Sequence, residues 1–290
     1  MQPQTFSLLK SAVSRSFNQA ADTYDASAIL QREVADRLLE RLDYMKISPK
    51  VIVDLGSGTG YCTQHCQQRY PDAVVIGVDI AHAMLKHAQT QNIDAKWCCA
   101  DAESLPIASH SVDLVISNLM FQWISDLPKA FEEIRRILKP NGLLLFTTKG
   151  PDTLKELRHA WQQIDEGYHV HDFLDMHDIG DTLLHARFSD PVMDAQTITV
   201  HYSEVKKLLR DLKQIGAHNL HQNRPRGLLG KQKFQAFLNA YDTQRTPTGK
   251  YPATYEIIFG HAWMPAGEVT YSADQQGQVS IPVSALRLRY

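Results

Sequence analysis

Apolar and polar positions alternate along this chain in a way that separates a strand–helix core from helix-rich ends. Between residues 50 and 150, short apolar runs recur, each followed by an amphipathic or polar-faced stretch. Val51-Ile52-Val53-Asp54-Leu55 ends at a glycine, and a polar-faced segment over 62–70 follows. Ala73-Val74-Val75-Ile76-Gly77-Val78-Asp79 is the next run, after which Ala81, Met84, Leu85 and Ala88 fall at helical spacing within 81–90. Residues 95–100 predict a third strand, Val112 to Ser117 a fourth and Leu143 to Thr148 a fifth. Before the fifth, Pro128 suits the first turn of a helix carrying Phe131, Ile134, Ile137 and Leu138 on one face, and Lys139-Pro140-Asn141-Gly142 stops it. Short apolar runs alternating with helices predict a parallel sheet covered on both faces.

The ends read differently. Residues 1–45 are helical in pattern and 46–150 form the strand–helix core. Helices are expected at 152–165, 175–186, 203–215 and 231–242, and strands at 192–201 and 254–263. Residues 151–216 then form a region of helices and a strand, and 252–290 the last strand and tail. Residues 217–251, with Pro225, Gly227 and Gly230, read as an insertion between a helix and that last strand. The whole is expected to be a single domain. Apolar runs such as Leu143 to Phe146 are far shorter than the roughly 18 residues of a membrane span. The start of the chain has no apolar stretch of signal-peptide length, so a cytoplasmic protein is expected.

Composition narrows the choice. With 43% hydrophobic and 21% charged residues the balance is that of a globular protein, which excludes a disordered or collagen-like chain. The formal charge of −2 excludes a chain-wide basic footprint for nucleic acid. Charge is nevertheless uneven: residues 201–250 hold ten Lys and Arg against three acids, a local +7, so the remainder sums to −9. Cys62, Cys66, Cys98 and Cys99 are badly spaced for a disulfide framework or zinc site, and reduced, mostly buried thiols are expected.

The sharpest chemistry lies in Asp54-Leu55-Gly56-Ser57-Gly58-Thr59-Gly60, directly after the first strand. Glycines there permit a tight turn and close backbone approach to a ligand. The spacing is Gly-x-Gly-x-Gly, not the Gly-x-Gly-x-x-Gly of dinucleotide enzymes. Asp79 ends the second strand, where a carboxylate can accept from two ribose hydroxyls; that placement fits either ligand class. The later order separates them: Asp101-Ala102 after the third strand, Leu105-Pro106, then Ser111 to Ile116 and Asn118. Over residues 50–150 this series resembles the class I S-adenosylmethionine-dependent methyltransferases. That resemblance implies a Rossmann-like, mostly parallel sheet with an antiparallel last strand and a helical lid. It implies cofactor contacts from Asp54, Gly56, Gly58, Gly60, Asp79, Ile80, Asp101, Ala102 and Asn118, with Asp101 on the adenine amino group and Asn118 on the methionine side.

The flanks are more specific. Ser14 to Asp25 (Ser-Arg-Ser-Phe-Asn-Gln-Ala-Ala-Asp-Thr-Tyr-Asp), Leu30 to Ala35, and Asn118-Leu119-Met120-Phe121-Gln122-Trp123 resemble the malonyl-acyl-carrier-protein O-methyltransferases of biotin synthesis. So do Thr153 to Trp161, His171 to Asp178, Leu212 to Ala217 and Thr254-Tyr255-Glu256. Asn141-Gly142 stands in place of that family's more usual Gly-Gly, and Lys149 in place of an apolar residue. The resemblance implies methyl transfer from S-adenosylmethionine to the free carboxylate of a malonyl thioester on acyl carrier protein. Such a carboxylate is ionised at neutral pH, so no strong base is needed; the protein must desolvate and align it.

Three residues at the expected pocket are candidates to hold that carboxylate: Tyr24 of the lid, Gln122 after the fourth strand, and Lys149 at the end of the fifth. Trp123 is expected in packing. His169, His171, His177 and His185 are dense, but their spacing matches no standard zinc pattern, and the resemblance implies no metal. Acyl carrier proteins are strongly acidic, so Arg224, Arg226, Lys231 and Lys233 are the expected docking cations. A methyltransferase acting on a quinone-type small molecule or on RNA stays open as the alternative. In the basic segment Phe234, Phe237 and Tyr241 fall at helical core spacing, not interleaved with the cations as aromatics for stacking bases would be.

Overall fold

A computed structural model describes residues 8–91, 94–225, 227 and 229–267. In chain order the elements are α1 (Lys10–Ser27), α2 (Ile29–Glu40), β1 (Val51–Leu55), α3 (Tyr61–Arg69), β2 (Val74–Asp79), α4 (His82–Thr90), β3 (Lys96–Cys99) and β4 (Val112–Asn118). There follow α5 (Leu127–Ile137), β5 (Leu138–Lys149), α6 (Lys155–Gln162), α7 (Met176–His185), β6 (Ser189–Tyr202), α8 (Val205–Gln214), α9 (Lys231–Asp242) and β7 (Tyr251–Trp263). Short 3-10 turns occupy Arg41–Tyr44 and Phe121–Trp123.

The strands form one sheet in the order β3-β2-β1-β4-β5-β7-β6. The first five run parallel, while β7 lies antiparallel to both β5 and β6. The order reverses between β1 and β4, and at such a switch point the strand ends part to leave a crevice for a ligand.

Alternation along each central strand assigns the two faces. Ile52, Leu114, Ile116, Leu143 and Leu145 enter one core with Leu38, Leu208, Phe237 and Tyr241 of the covering helices. Val53, Val115, Leu144 and Phe146 enter the other with Phe131, Ile134 and Leu183. The most amphipathic patterns do as expected: α5 buries Leu127, Ala130, Phe131, Ile134 and Ile137, and Asp126 caps its start by accepting from the Lys129 N–H at 3.1 Å.

Two expectations change. Lys139-Pro140-Asn141-Gly142 does end α5, but it belongs to β5, which starts at Leu138 rather than Leu143. The register against β4 jumps from Val112–Leu138 to Leu114–Leu143, so the four residues bulge out. Asn141 takes the left-handed φ of 61°, and the bulge is closed by bonds between the Asn141 N–H and Met264 carbonyl (2.9 Å) and the Met264 N–H and Gly142 carbonyl (2.8 Å). The thiols are the second change. Cys62 and Cys66 are buried, but β3 is a sheet edge and leaves Cys98 half-buried and Cys99 exposed.

Candidate active site

The crevice at the switch point is a cavity of about 740 Å³ lined by the glycine turn, the ends of β2 and β4, the Ala100–Glu103 segment and one face of α1. Gly56 and Gly58 have φ of 76° and 53°, a region where a side chain is strained. At Gly56 a Cβ would also meet the Met120 side chain at 2.4 Å, whereas at Gly58 it would meet nothing within 4 Å. The backbone at Gly58 is therefore open to the cavity. Gly60, with φ of 93°, begins α3 and turns the chain without lining the cavity.

Asp79 knits the turn together. Its Oδ2 accepts from the Gly58 N–H at 2.9 Å and its Oδ1 from the Ala81 N–H at 2.7 Å. Burial raises its carboxyl pKa, and these backbone donors oppose the rise. Ile80 lines the wall beside it, and its carbonyl accepts from the Ser14 hydroxyl at 3.1 Å. Asp101 accepts from the Glu103 N–H at 2.9 Å and from the Lys10 ammonium at 2.6 Å, while Ala102 is buried against the cavity. Asn118 is fixed at both ends: its amide donates to the Gln31 carbonyl at 3.0 Å, and its oxygen accepts from the Thr147 hydroxyl at 2.7 Å.

Asp54 sits lower, in a smaller adjoining cavity that also reaches Tyr24, Gly56, Gly58 and Asn118. Burial pushes its carboxyl up to about 7, against a 2.6 Å bond from the Thr63 hydroxyl. In the same turn Ser57 Oγ is buried without a hydrogen-bond partner. An unmet buried hydroxyl, an open glycine backbone and two fixed carboxylates suit an elongated ligand with hydroxyl and amino donors.

The lid is built from α1. Lys10, Val13, Phe17 and Tyr24 line the cavity, with Lys10, Phe17 and Tyr24 seven residues apart on one helix face. Lys10 bridges Asp101 and Glu103, both at 2.6 Å. At the far end of the helix, Asp25 accepts from the Thr59 hydroxyl at 2.6 Å and lies 3.1 Å from His87 Nε2. Tyr24 packs on Ala20, Ala21, Ala81 and Met84. Burial and the nearby Asp79 and Asp25 carboxylates raise its phenol pKa, keeping it protonated. Sequence reasoning missed Lys10, Glu103 and the Asp25 contacts; the seven-residue spacing was the available signal for Lys10.

A second cavity, of about 660 Å³, shares Trp123 with the first. Lys149, Trp161, His169, His171, Lys213 and His218 line it, and no acid does. Lys149 is 5% exposed, and its ammonium makes no hydrogen bond or ion pair among the described residues. Only ring faces are near, with Tyr255 at 5.8 Å and Phe173 at 6.0 Å to the centroids. Burial lowers its pKa to about 8. His171 drops to about 4, through burial and the charge of Lys149, and its Nε2 accepts from the Leu220 N–H at 2.9 Å. It is therefore neutral at pH 7.

The expected substrate residues thus part company. Tyr24 reaches the first cavity and Lys149 the second. Gln122 reaches neither: it is buried, its amide donates to the Leu119 carbonyl, and its oxygen accepts from the Thr148 hydroxyl at 3.1 Å. Trp123 lines both cavities and meets the rings of Phe17 and His171 edge-on. Among the expected docking cations, Arg224 and Lys231 are exposed, Lys233 is paired with Asp165, and Arg226 lies outside the described residues.

The histidines do not converge. His169 stacks on Trp161 and bonds Asp165 at 2.7 Å, His177 bonds Asp175 at the start of α7, and His185 bonds the Asp181 carbonyl of its own helix. Among the described residues, no group of three His, Cys, Asp or Glu gathers as metal ligands would.

A sheet with this order and a crevice at the glycine turn define a methyltransferase fold, and the methyltransferase-domain family model matches residues 53–146. Solved structures agree on the fold. The YcgJ protein of Bacillus subtilis is 16% identical, with a TM-score of 0.57 over 79% of this chain and 98% of that one. An S-adenosylmethionine-dependent methyltransferase from Thermotoga maritima is also 16% identical, with a TM-score of 0.53 over 87% and 99%. Curated relatives go further. A malonyl-[acyl-carrier protein] O-methyltransferase of Gallionella capsiferriformans is 48% identical over 91% of this chain and 94% of its own length. Those of Coxiella burnetii and Halorhodospira halophila are 45% and 44% identical, each over 98% of this chain. The chain belongs to the malonyl-[acyl-carrier protein] O-methyltransferase family.

Proposed function

We propose that this enzyme transfers the methyl group of S-adenosylmethionine to the free carboxylate of malonyl-acyl carrier protein, giving the malonyl methyl ester used to prime the biotin precursor. Family membership supports the reaction, and one observation carries its assignment to these residues. A buried lysine without a counter-charge lines a cavity that shares a single tryptophan wall with the nucleoside-sized crevice. An unpaired buried cation is costly, and an anionic ligand group relieves that cost.

In the first cavity, Asp79 meets the ribose hydroxyls, Asp101 the adenine amino group and Asn118 the methionine end. The backbone of Gly56 and Gly58 admits the ligand closely, with Ile80 and Ala102 as walls, while Asp54 and Gly60 hold the turn. When bound, S-adenosylmethionine supplies an activated methyl carbon. In the second cavity Lys149 receives the malonyl carboxylate and removes it from water, and neutral His171 adds no competing charge. The carboxylate needs no proton removed, so the residues orient and desolvate, worth as much as about 7–11 kcal/mol in favourable cases. Tyr24 closes the crevice above with a protonated hydroxyl that makes no hydrogen bond among the described residues. Gln122 positions: it ties the turn after β4 to β5.

A methyl-transfer assay with labelled S-adenosylmethionine tests the reading, comparing malonyl- and acetyl-acyl carrier protein with bulk tRNA. A base-labile methyl ester on the malonyl substrate alone is expected, with Tyr24→Phe turning over about tenfold more slowly, as for loss of one oriented hydroxyl donor. Label on tRNA, or no transfer to the malonyl substrate while S-adenosylmethionine still binds, would replace the reading with another methyltransferase activity.

A further inference from the structure

The second cavity opens beside α8, and that helix divides cleanly. Val205, Leu208 and Leu212 are buried, whereas Lys206, Lys207, Arg210 and Lys213 are exposed. Their spacing gathers the four cations on one side of the helix. None of their side chains makes a hydrogen bond or ion pair among the described residues, in contrast to Lys233 with its Asp165. Asp211, an acid of the same helix, is engaged with the Tyr202 hydroxyl. At the end of the stripe Lys213 also lines the cavity that holds Lys149, together with Leu209 and Leu212. Exposed Arg224 is near as well: burial lowers the pKa of His218, another lining residue, and the charges of Arg224 and Lys213 lower it further.

The geometry points to the outer face of α8, completed by Arg224, as the docking surface for the acidic carrier protein, with the cavity beneath it as the channel for the carrier's thioester arm. This rests on the function proposed above and goes beyond it by naming the surface and the direction of entry. Charge complementarity selects the partner. Five cations whose side chains have no partner among the described residues attract an acidic domain, and the stripe runs to the cavity through which an arm would reach Lys149. Lys213 stands at the cavity itself, whereas Lys206, Lys207, Arg210 and Arg224 do not line it, so these four act on encounter and retention of the carrier and leave the chemistry alone.

The test is the double variant Lys207→Glu/Arg210→Glu, in which helix-forming residues replace helix-forming residues. Binding of holo-acyl carrier protein without a malonyl group is followed by fluorescence anisotropy; this readout does not depend on methyl transfer. Turnover of malonyl-pantetheine, which lacks the carrier, reports on folding and on the active site. The expected result is carrier binding weakened on the order of tenfold or more at low salt, a gap that closes in high salt, and unchanged turnover of malonyl-pantetheine. Carrier binding equal to that of the unaltered enzyme would overturn the proposal. So would an equal loss of single-stranded RNA binding, which would mark a general polyanion surface. Failure of the unaltered enzyme to methylate any malonyl thioester would instead overturn the function and leave carrier binding to be judged separately.

Discussion

The two cavities that meet at Trp123 treat charge in opposite ways. In the crevice at the switch point every charged group already has partners: Asp79 holds two backbone donors, and Asp101 holds Lys10 and a backbone N–H. In the neighbouring cavity Lys149 is buried near aromatic rings, with no anion paired to it among the described residues. The first is organised before any ligand arrives, so binding there costs little rearrangement. The second holds an unsatisfied charge, and its stability is traded for a ligand that completes the pair. The contrast supports the proposed division between a nucleoside site and a site for a small anion.

The comparison breaks most sharply at Asp79. Asp79→Asn removes the ionised acceptor for two N–H groups, each such bond being worth about 1.5–3 kcal/mol, so affinity for S-adenosylhomocysteine should fall on the order of a hundredfold by calorimetry. Retained affinity would show that the turn holds its shape without the carboxylate.

Lys149→Met should have the opposite signature. The Michaelis constant for malonyl-acyl carrier protein should rise by roughly 10–30-fold with cofactor affinity unchanged, because a charge-assisted contact is lost. The ligand-free variant should also be more stable. A lysine whose folded pKa is about 8 rather than 10.5 binds fewer protons folded than unfolded, so its penalty is fully present below pH 8 and fades as pH rises to 10.5. That penalty is on the order of 3 kcal/mol at pH 7. Denaturant unfolding at pH 7 and pH 10 measures it. A stability difference that does not shrink with pH would mean that Lys149 has a partner in solution.

Lys10→Ala sharpens the comparison at its weakest point. Lys10 is over a third exposed, so its bridges to Asp101 and Glu103 contribute about 0–1 kcal/mol each after screening. Cofactor affinity should fall about three- to fivefold at low salt and hardly at all in high salt, by the same titration. A much larger loss would make the lid bridge part of the binding site itself.

Much of this was legible in the chain. Asp79, Asp101 and Asn118 could be placed because each follows an apolar run. In a parallel sheet all such runs end on one edge, so residues far apart in sequence converge by topology alone. Gly56 and Gly58 were legible from the tight turn. Gln122 and Asn118 both follow β4 and look alike in the chain, but Asn118 lines the crevice whereas the Gln122 amide turns back to the Leu119 carbonyl and its oxygen accepts from Thr148, a contact that depends on the neighbouring strand. Lys233 is expected from the chain as a docking cation, and the pairing with Asp165 that α9 gives it could not be read there. The stop at Lys139–Gly142 was read correctly as a break in the helix, but its incorporation in β5 depends on Met264, over a hundred residues on.

By itself, then, the sequence determined the elements, the order in which they alternate and the edge at which their ends collect. Period and turn chemistry are local properties, and a parallel sheet maps them onto one rim. Tertiary structure alone decided which polar groups at that rim are satisfied. Lys10 reaches Asp101 from 91 residues away, while no acid among the described residues pairs with Lys149. Pairing depends on which remote segments are brought within about 3 Å, a distance no local pattern encodes. The charge left unpaired by that arrangement is where we propose the substrate carboxylate binds.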